Sequence, residues 1–152
     1  MISISLDRAS YAAGGTIIAT ISVSGKKPVK ARGLSAKLEC SERRQVKTEV
    51  MLDQYDFNRD EKLGIPYSTN MKVRTDELDS VVFSQEKPVS GEREFSGEAV
   101  FTVQFILPSD AKPTSLEFGH DGAIHAWKLR AKLDIPMALD ENAEVDVFVE
   151  GL

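Results

Sequence analysis

Residues 107–136 read LPSDAKPTSLEFGHDGAIHAWKLRAKLDIP. A strand closes at Leu107-Pro108, a connection carrying Pro113 follows, and a turn at Gly122 opens one long alternating run that stops at Pro136. Proline ends a ladder because it has no N–H to donate, and glycine supplies the backbone freedom that a turn asks for. Between the two, His125, Trp127, Leu129, Ala131, Leu133 and Ile135 share one face, with Lys128, Arg130 and Lys132 on the other. A period of two with one apolar face is the mark of a half-buried β-strand.

The same period extends in both directions. Just upstream, Ala99, Phe101, Val103, Phe105 and Leu107 alternate with Val100, Thr102, Gln104 and Ile106. The chain opens on Ile2 to Leu6, and a turn at Tyr11 and Gly14-Gly15 leads into Ile17, Ala19, Ile21 and Val23. Gly25 to Pro28 reads as a lysine-bearing turn. Leu34, Ala36, Leu38 and Cys40 form the inward face of the next strand, and another is expected around Val46 to Leu52. Strand character returns near Val73 and at Val81 to Phe83, whereas Ser84 to Ser96 reads as polar and turn-rich. A last strand is expected over Glu144 to Val149. Many short alternating strands with turns between them predict an all-β, antiparallel two-sheet β-sandwich of immunoglobulin-like kind. Asp53 to Asn70 breaks the pattern and reads as a long loop, a length uncommon unless it has a function.

Composition narrows the function classes. At 152 residues the chain suits one domain, 1–152, with a core large enough to need no staples. A net charge of −5 argues against nucleic acid as the main partner. No apolar run approaches the roughly 20 residues of a membrane span, and the first ten residues lack the pattern of a signal peptide. Cys40 stands alone, so no internal disulfide forms and a reducing, cytoplasmic setting fits best.

The Leu107–Pro136 segment resembles the corresponding part of arrestin-like domains. There a strand closes with Leu-Pro, and a Pro-Ser turn leads through Gly to a strand ending in aromatic, Leu, Ala, Leu, Asp, x-Pro. The matching residues are Leu107, Pro108, Pro113, Ser115, Gly122, Trp127, Leu129, Ala131, Leu133, Asp134 and Pro136. A second block, Tyr11, Gly14 and Gly25 followed by Val29, Lys30, Ala31, Arg32, Gly33 and Leu34, resembles the family's opening in the same order. The resemblance is to a single lobe, closest to the N-terminal lobe pattern. It implies a non-enzymatic protein-binding adaptor or scaffold. Members commonly carry two such lobes in tandem, and this chain matches one. Phosphate-sensing members use paired lysines in the first strand, and Ile2 to Leu6 holds no basic residue.

Few residues offer chemistry. His120 falls in a turn, and His125 on a core face is expected to be a packed or rim side chain. Cys40 on an inward face reads as an inert thiol. Asp56, Asn58 and Asp60 alternate as in a calcium loop, but Glu61 replaces its glycine and Tyr67 its bidentate glutamate. No catalytic residue, metal or cofactor is assigned.

Two basic groups are binding candidates. Lys128, Arg130 and Lys132 project together at about 7 Å spacing, and Lys26, Lys27, Lys30 and Arg32 cluster near a turn. Each suits an acidic partner, but the favoured reading is a solvated face paired with neighbouring carboxylates. Ile18, Val100, Ile106 and Phe148 fall on otherwise polar faces and are candidate interface residues, in a homodimer for example. The expected partner is another protein, with β-strand addition as one route. The alternative functions are a small-ligand or carbohydrate-binding module and an accessory domain of a larger complex.

Overall fold

The computed structural model describes residues 1–51, 71–118 and 122–151. The Asp53 to Asn70 excursion, with its Asp56, Asn58 and Asp60, lies outside the described residues, as does His120. Seven strands follow in order: β1 (Ile2–Leu6), β2 (Thr16–Ala31), β3 (Gly33–Met51), β4 (Met71–Ser90), β5 (Arg93–Ile106), β6 (Ala123–Asp134) and β7 (Glu141–Val147). They form two antiparallel sheets, ordered β1-β2-β5 and β4-β3-β6-β7. The fold is an all-β, two-sheet sandwich, as the alternation predicts.

The core is made from the alternation. Ile17, Ala19 and Ile21 of β2 and Phe105 of β5 are fully buried against Leu38 of β3 and Leu129 and Ala131 of β6. Register explains the match: Ile21 lies opposite Phe101, Leu38 opposite Leu129 and Ala36 opposite Ala131, so apolar side chains of adjacent strands share the inner faces. Burial of each large side chain stabilises the fold by roughly 1.5–3 kcal/mol.

The two sequence blocks meet in space. The Gly14 N–H donates to the Pro108 carbonyl at 3.0 Å, and the Leu107 N–H to the Gly15 carbonyl at 2.9 Å. Gly14 sits at φ 78°, a left-handed conformation in which a side chain is strained. At the other end of the sandwich, the Arg32 N–H donates to the Asp134 carbonyl at 2.8 Å. Gly33 lies opposite Asp134, and a Cβ on it would come within 3.3 Å of the Ser90 carbonyl. Tyr11 ties the two ends of the chain together. Its N–H bonds the Phe148 carbonyl at 2.9 Å and its carbonyl receives the Glu150 N–H at 2.7 Å, while its hydroxyl donates to Asp7 at 2.5 Å.

Four local readings are corrected. Gly25 to Pro28 is not a turn between strands but an irregularity inside β2, since pairing with β5 skips from Gly25 to Val29. The strands expected at Leu34 and at Val46 are one strand, β3. The strand character near Val73 and at Val81 to Phe83 is there, in one strand, but most of Ser84 to Ser96, read as turn-rich, is strand as well, broken only near Gly91. The last strand is Glu141–Val147, with Val149 joined to Tyr11 by an isolated bridge. The third of these has its cause in β4. Its described residues are exposed or half-buried throughout, so no apolar alternation announces them.

Candidate functional site

β4 is an edge strand, and its two halves are built differently. In the lower half, two register shifts against β3 leave Val82 and Val89 as extra residues. Such bulges twist an edge away from pairing, and Pro88 removes one donor. Lys87, opposite the buried Ala36, points inward. Its ammonium donates to the Gln104 carbonyl of the facing edge strand β5 at 2.6 Å and lies 5.2 Å from the centre of the Phe105 ring. From β5, Arg93 stacks over Phe95 and Phe101 at 4.9 and 5.6 Å. Lys87 thus closes the seam between the sheets, and Arg93 covers the aromatic faces of its own strand.

The upper half carries none of these devices. From Val81 back to Met71, β4 pairs with Ser41 to Met51 in unbroken register. β6 reaches only to Ala123, opposite Arg44, so beyond that point β3 and β4 are a two-stranded ribbon. Such a ribbon is marginal alone in water. At the root of the ribbon, where β6 still runs beside β3, β4 exposes Leu78 at 57% and Val81 at 56%, with Arg43 pinned between Asp79 at 2.9 Å and Glu77 at 4.0 Å.

A cleft of about 290 Å³ lies at the root of this arm, lined among others by Cys40, Glu42, Val82, Phe83, His125 and Trp127. Glu42 and His125 are opposite each other in the β3–β6 register, which sets their side chains 2.9 Å apart. Glu42 also bonds Arg44 at 3.1 Å. Arg44 first and His125 second hold its carboxyl below the usual carboxylate range, so it is a weak base. Burial first, then the Glu42 charge, pushes the Cys40 thiol up to about 11. At neutral pH it is therefore protonated and cannot serve as a thiolate nucleophile. The Cys40 sulfur contacts the Ser41 carbonyl at 3.9 Å. The His125 backbone N–H donates to the Ser115 hydroxyl at 2.9 Å, and the Trp127 indole N–H to the Lys112 carbonyl at 2.8 Å. These groups anchor the 108–118 connection to β6. Among the described residues no group of three His, Cys, Asp or Glu side chains is placed to hold a metal ion.

The two basic groups have opposite surroundings. On β6, Lys128 pairs with Glu144 at 3.0 Å, Arg130 with Glu144 at 2.7 Å, and Lys132 with Asp140 at 3.2 Å. Lys128 and Arg130 together hold the Glu144 carboxyl below its usual range. The stripe is a charge-balanced face. Lys26, Lys27, Lys30 and Arg32, by contrast, form no ion pair with any described residue.

The apolar candidates do not form one patch. Ile18 is half-buried and lies opposite Gln104, diagonal to the exposed Ile106 on the outer face of the β1-β2-β5 sheet. Val100 is on that face but six residues along β5, about 20 Å away. Phe148 follows the end of β7 and lines a cleft with the exposed Leu116. Trp127 is only 3% exposed, so it offers no face for a sugar to stack on. Sequence reasoning read strand at Val81 to Phe83 but did not single out Leu78, Val81 and Val82 as exposed apolar residues, because β4 carries no apolar period there. It also missed Met137 and Leu139, both fully exposed in the β6–β7 turn.

No protein-family model matches this chain, and no curated protein matches it in sequence. The solved structure of Spo0M, a sporulation control protein from Bacillus subtilis, superposes with a TM-score of 0.62 at 19% identity, over 99% of this chain and 49% of that one. The chain therefore spans about half the length of that solved structure. At this identity the likeness is one of fold, and the chain is an arrestin-like two-sheet β-sandwich.

Proposed function

We propose that this chain is a non-enzymatic, protein-binding adaptor that docks an extended segment of a partner along the free edge of β4. The observation that carries the reading is the contrast within one strand. The lower half of β4 is blunted by two bulges, Pro88 and the inward Lys87, while Arg74 to Val81 is regular, solvent-facing and carries the exposed Leu78 and Val81. Edge strands left open are templates for another strand: backbone groups supply affinity and alternate side chains specificity. The thiol and carboxylate in the adjoining cleft are tuned away from catalysis, in keeping with a binding role. A cytoplasmic setting agrees with the lone, buried Cys40, which a reducing compartment keeps as a thiol.

The test is selection of short random peptides on the intact chain, with hydrogen exchange mapping the site. Enriched peptides should slow exchange in Arg74 to Val81 and should fail to bind a Leu78→Lys/Val81→Lys variant of unchanged melting temperature. A selection in which no enriched peptide protects Arg74 to Val81, or in which those that do bind the variant equally well, would overturn the reading.

A further inference from the structure

A second cleft, of about 300 Å³, opens at the end of the sandwich opposite the arm. Its floor is Val23, Val29, Phe95 and Leu133, and its rim carries Lys26 and Lys27. The local sequence explains why it is open. β2 spends three residues, Lys26 to Pro28, where β5 spends only Ser96, so the backbone swings out. At the start of the swing Gly25 lies opposite Gly97, which holds φ at 72°, and neither has a side chain to fill the gap.

The basic side chains at this cleft are not tied up in ion pairs. Glu141 at the rim is engaged by the Met1 ammonium at 3.6 Å. Glu94 is the register partner of Lys30 but forms no ion pair with it. Lys26, Lys27, Lys30 and Arg32 are all exposed and form no ion pair with any described residue. Beyond the rim, the turn between Leu133 and Glu141 presents Met137, held at φ 59°, and Leu139, at 93% exposure.

We infer that this cleft is a second docking site, whose ligand is an acidic segment of a partner protein with one apolar side chain seated on the Val23–Phe95–Leu133 floor. The volume is at the bottom of the range for small-molecule sites and suits one side chain. Unpaired lysines around an apolar floor complement carboxylates around an apolar anchor, and the exposed Met137 and Leu139 extend the contact. A peptide is favoured over a membrane surface by the charge layout. Glu94, Glu98 and Glu141 share this end of a chain of net charge −5, and a broad anionic surface would meet them all. A narrow segment reaches the lysines alone. This site is separate from the β4 edge and does not depend on it.

The test is selection of random peptides on the full chain, followed by affinity measurement against a Lys26→Glu/Lys27→Glu variant. Both lysines are exposed and without ion pairs, so the variant should melt like the parent. Enriched peptides should carry Asp or Glu on both sides of a Leu, Ile or Phe, and the variant should bind them roughly tenfold more weakly or worse. Alanine at Lys128 and Lys132, lysines whose charge is already balanced, should leave binding intact. The inference is overturned if no acidic class is enriched or if the variant binds as well as the parent. It is equally overturned if the lysine effect appears only as sedimentation with phosphatidylserine vesicles.

Discussion

The lower and upper halves of β4 belong to one strand yet solve opposite problems. The lower half faces a hydrophobic seam, and everything in it acts against further pairing: bulges, a proline, and a lysine turned inward onto Phe105. The upper half leaves the sandwich, keeps strict register and exposes apolar side chains. A strand is closed to other chains where its side chains are needed by the core, and open where no core exists behind it. The lesson is that availability for docking follows from which layer lies behind a strand, not from the strand itself.

The contrast can be broken most strongly from the core side. Phe105→Ala should cost about 3–5 kcal/mol of stability by chemical denaturation, because it empties a fully buried ring site and removes the surface under Lys87. If the loss is under about 1 kcal/mol, the seam is not packed as described. Lys87→Glu comes next, at about 1–3 kcal/mol, since it loses a charged donor to the Gln104 carbonyl and places a carboxylate against the ring. It should also associate with rising concentration in light scattering, because the seam is no longer guarded.

Acid and alkali probe the junction between the halves. The Glu42 carboxyl is depressed in the fold, so its contribution is complete above the ordinary carboxylate range and disappears as pH falls through the lowered value. Melting temperature should therefore drop in acid, and drop less for Glu42→Gln. Cys40 behaves in the opposite sense. Its folded value is raised from 9.0 to about 11, so its stabilisation is whole below 9.0 and is lost as pH climbs through 11. Correspondingly, the native protein at pH 8 should resist alkylation that the denatured protein undergoes at once. The smallest effect on stability belongs to the arm. Leu78→Lys/Val81→Lys should shift unfolding by less than about 0.5 kcal/mol, these being exposed positions. A larger loss would mean that the arm is packed rather than presented.

How much was legible varied with what lay behind each residue. The faces of β2, β5 and β6 were readable because each is buried on one side only, which forces alternation. His125 and Cys40 were legible as packed side chains for the same reason. β4 was not, since its arm is wet on both faces. The basic stripe on β6 was legible as a stripe. That Glu144 and Asp140 balance it, while the cluster on β2 forms no ion pair with any described residue, depended on which strand lay next to which. Of the four apolar candidates, Ile18 and Ile106 are neighbours only through the β2–β5 register.

From its sequence alone this protein was determined to be an antiparallel sandwich, because a period of two with one apolar face has few other ways to leave water. The Leu-Pro, Gly and Tyr positions marked the corners, because proline and glycine permit only certain backbone paths. Tertiary structure alone decided which edges are closed, which charges are balanced and where a cleft stays open. Those properties arise between residues far apart in the chain, Lys87 with Gln104, Glu42 with His125 and Gly25 with Gly97, and no local pattern carries them.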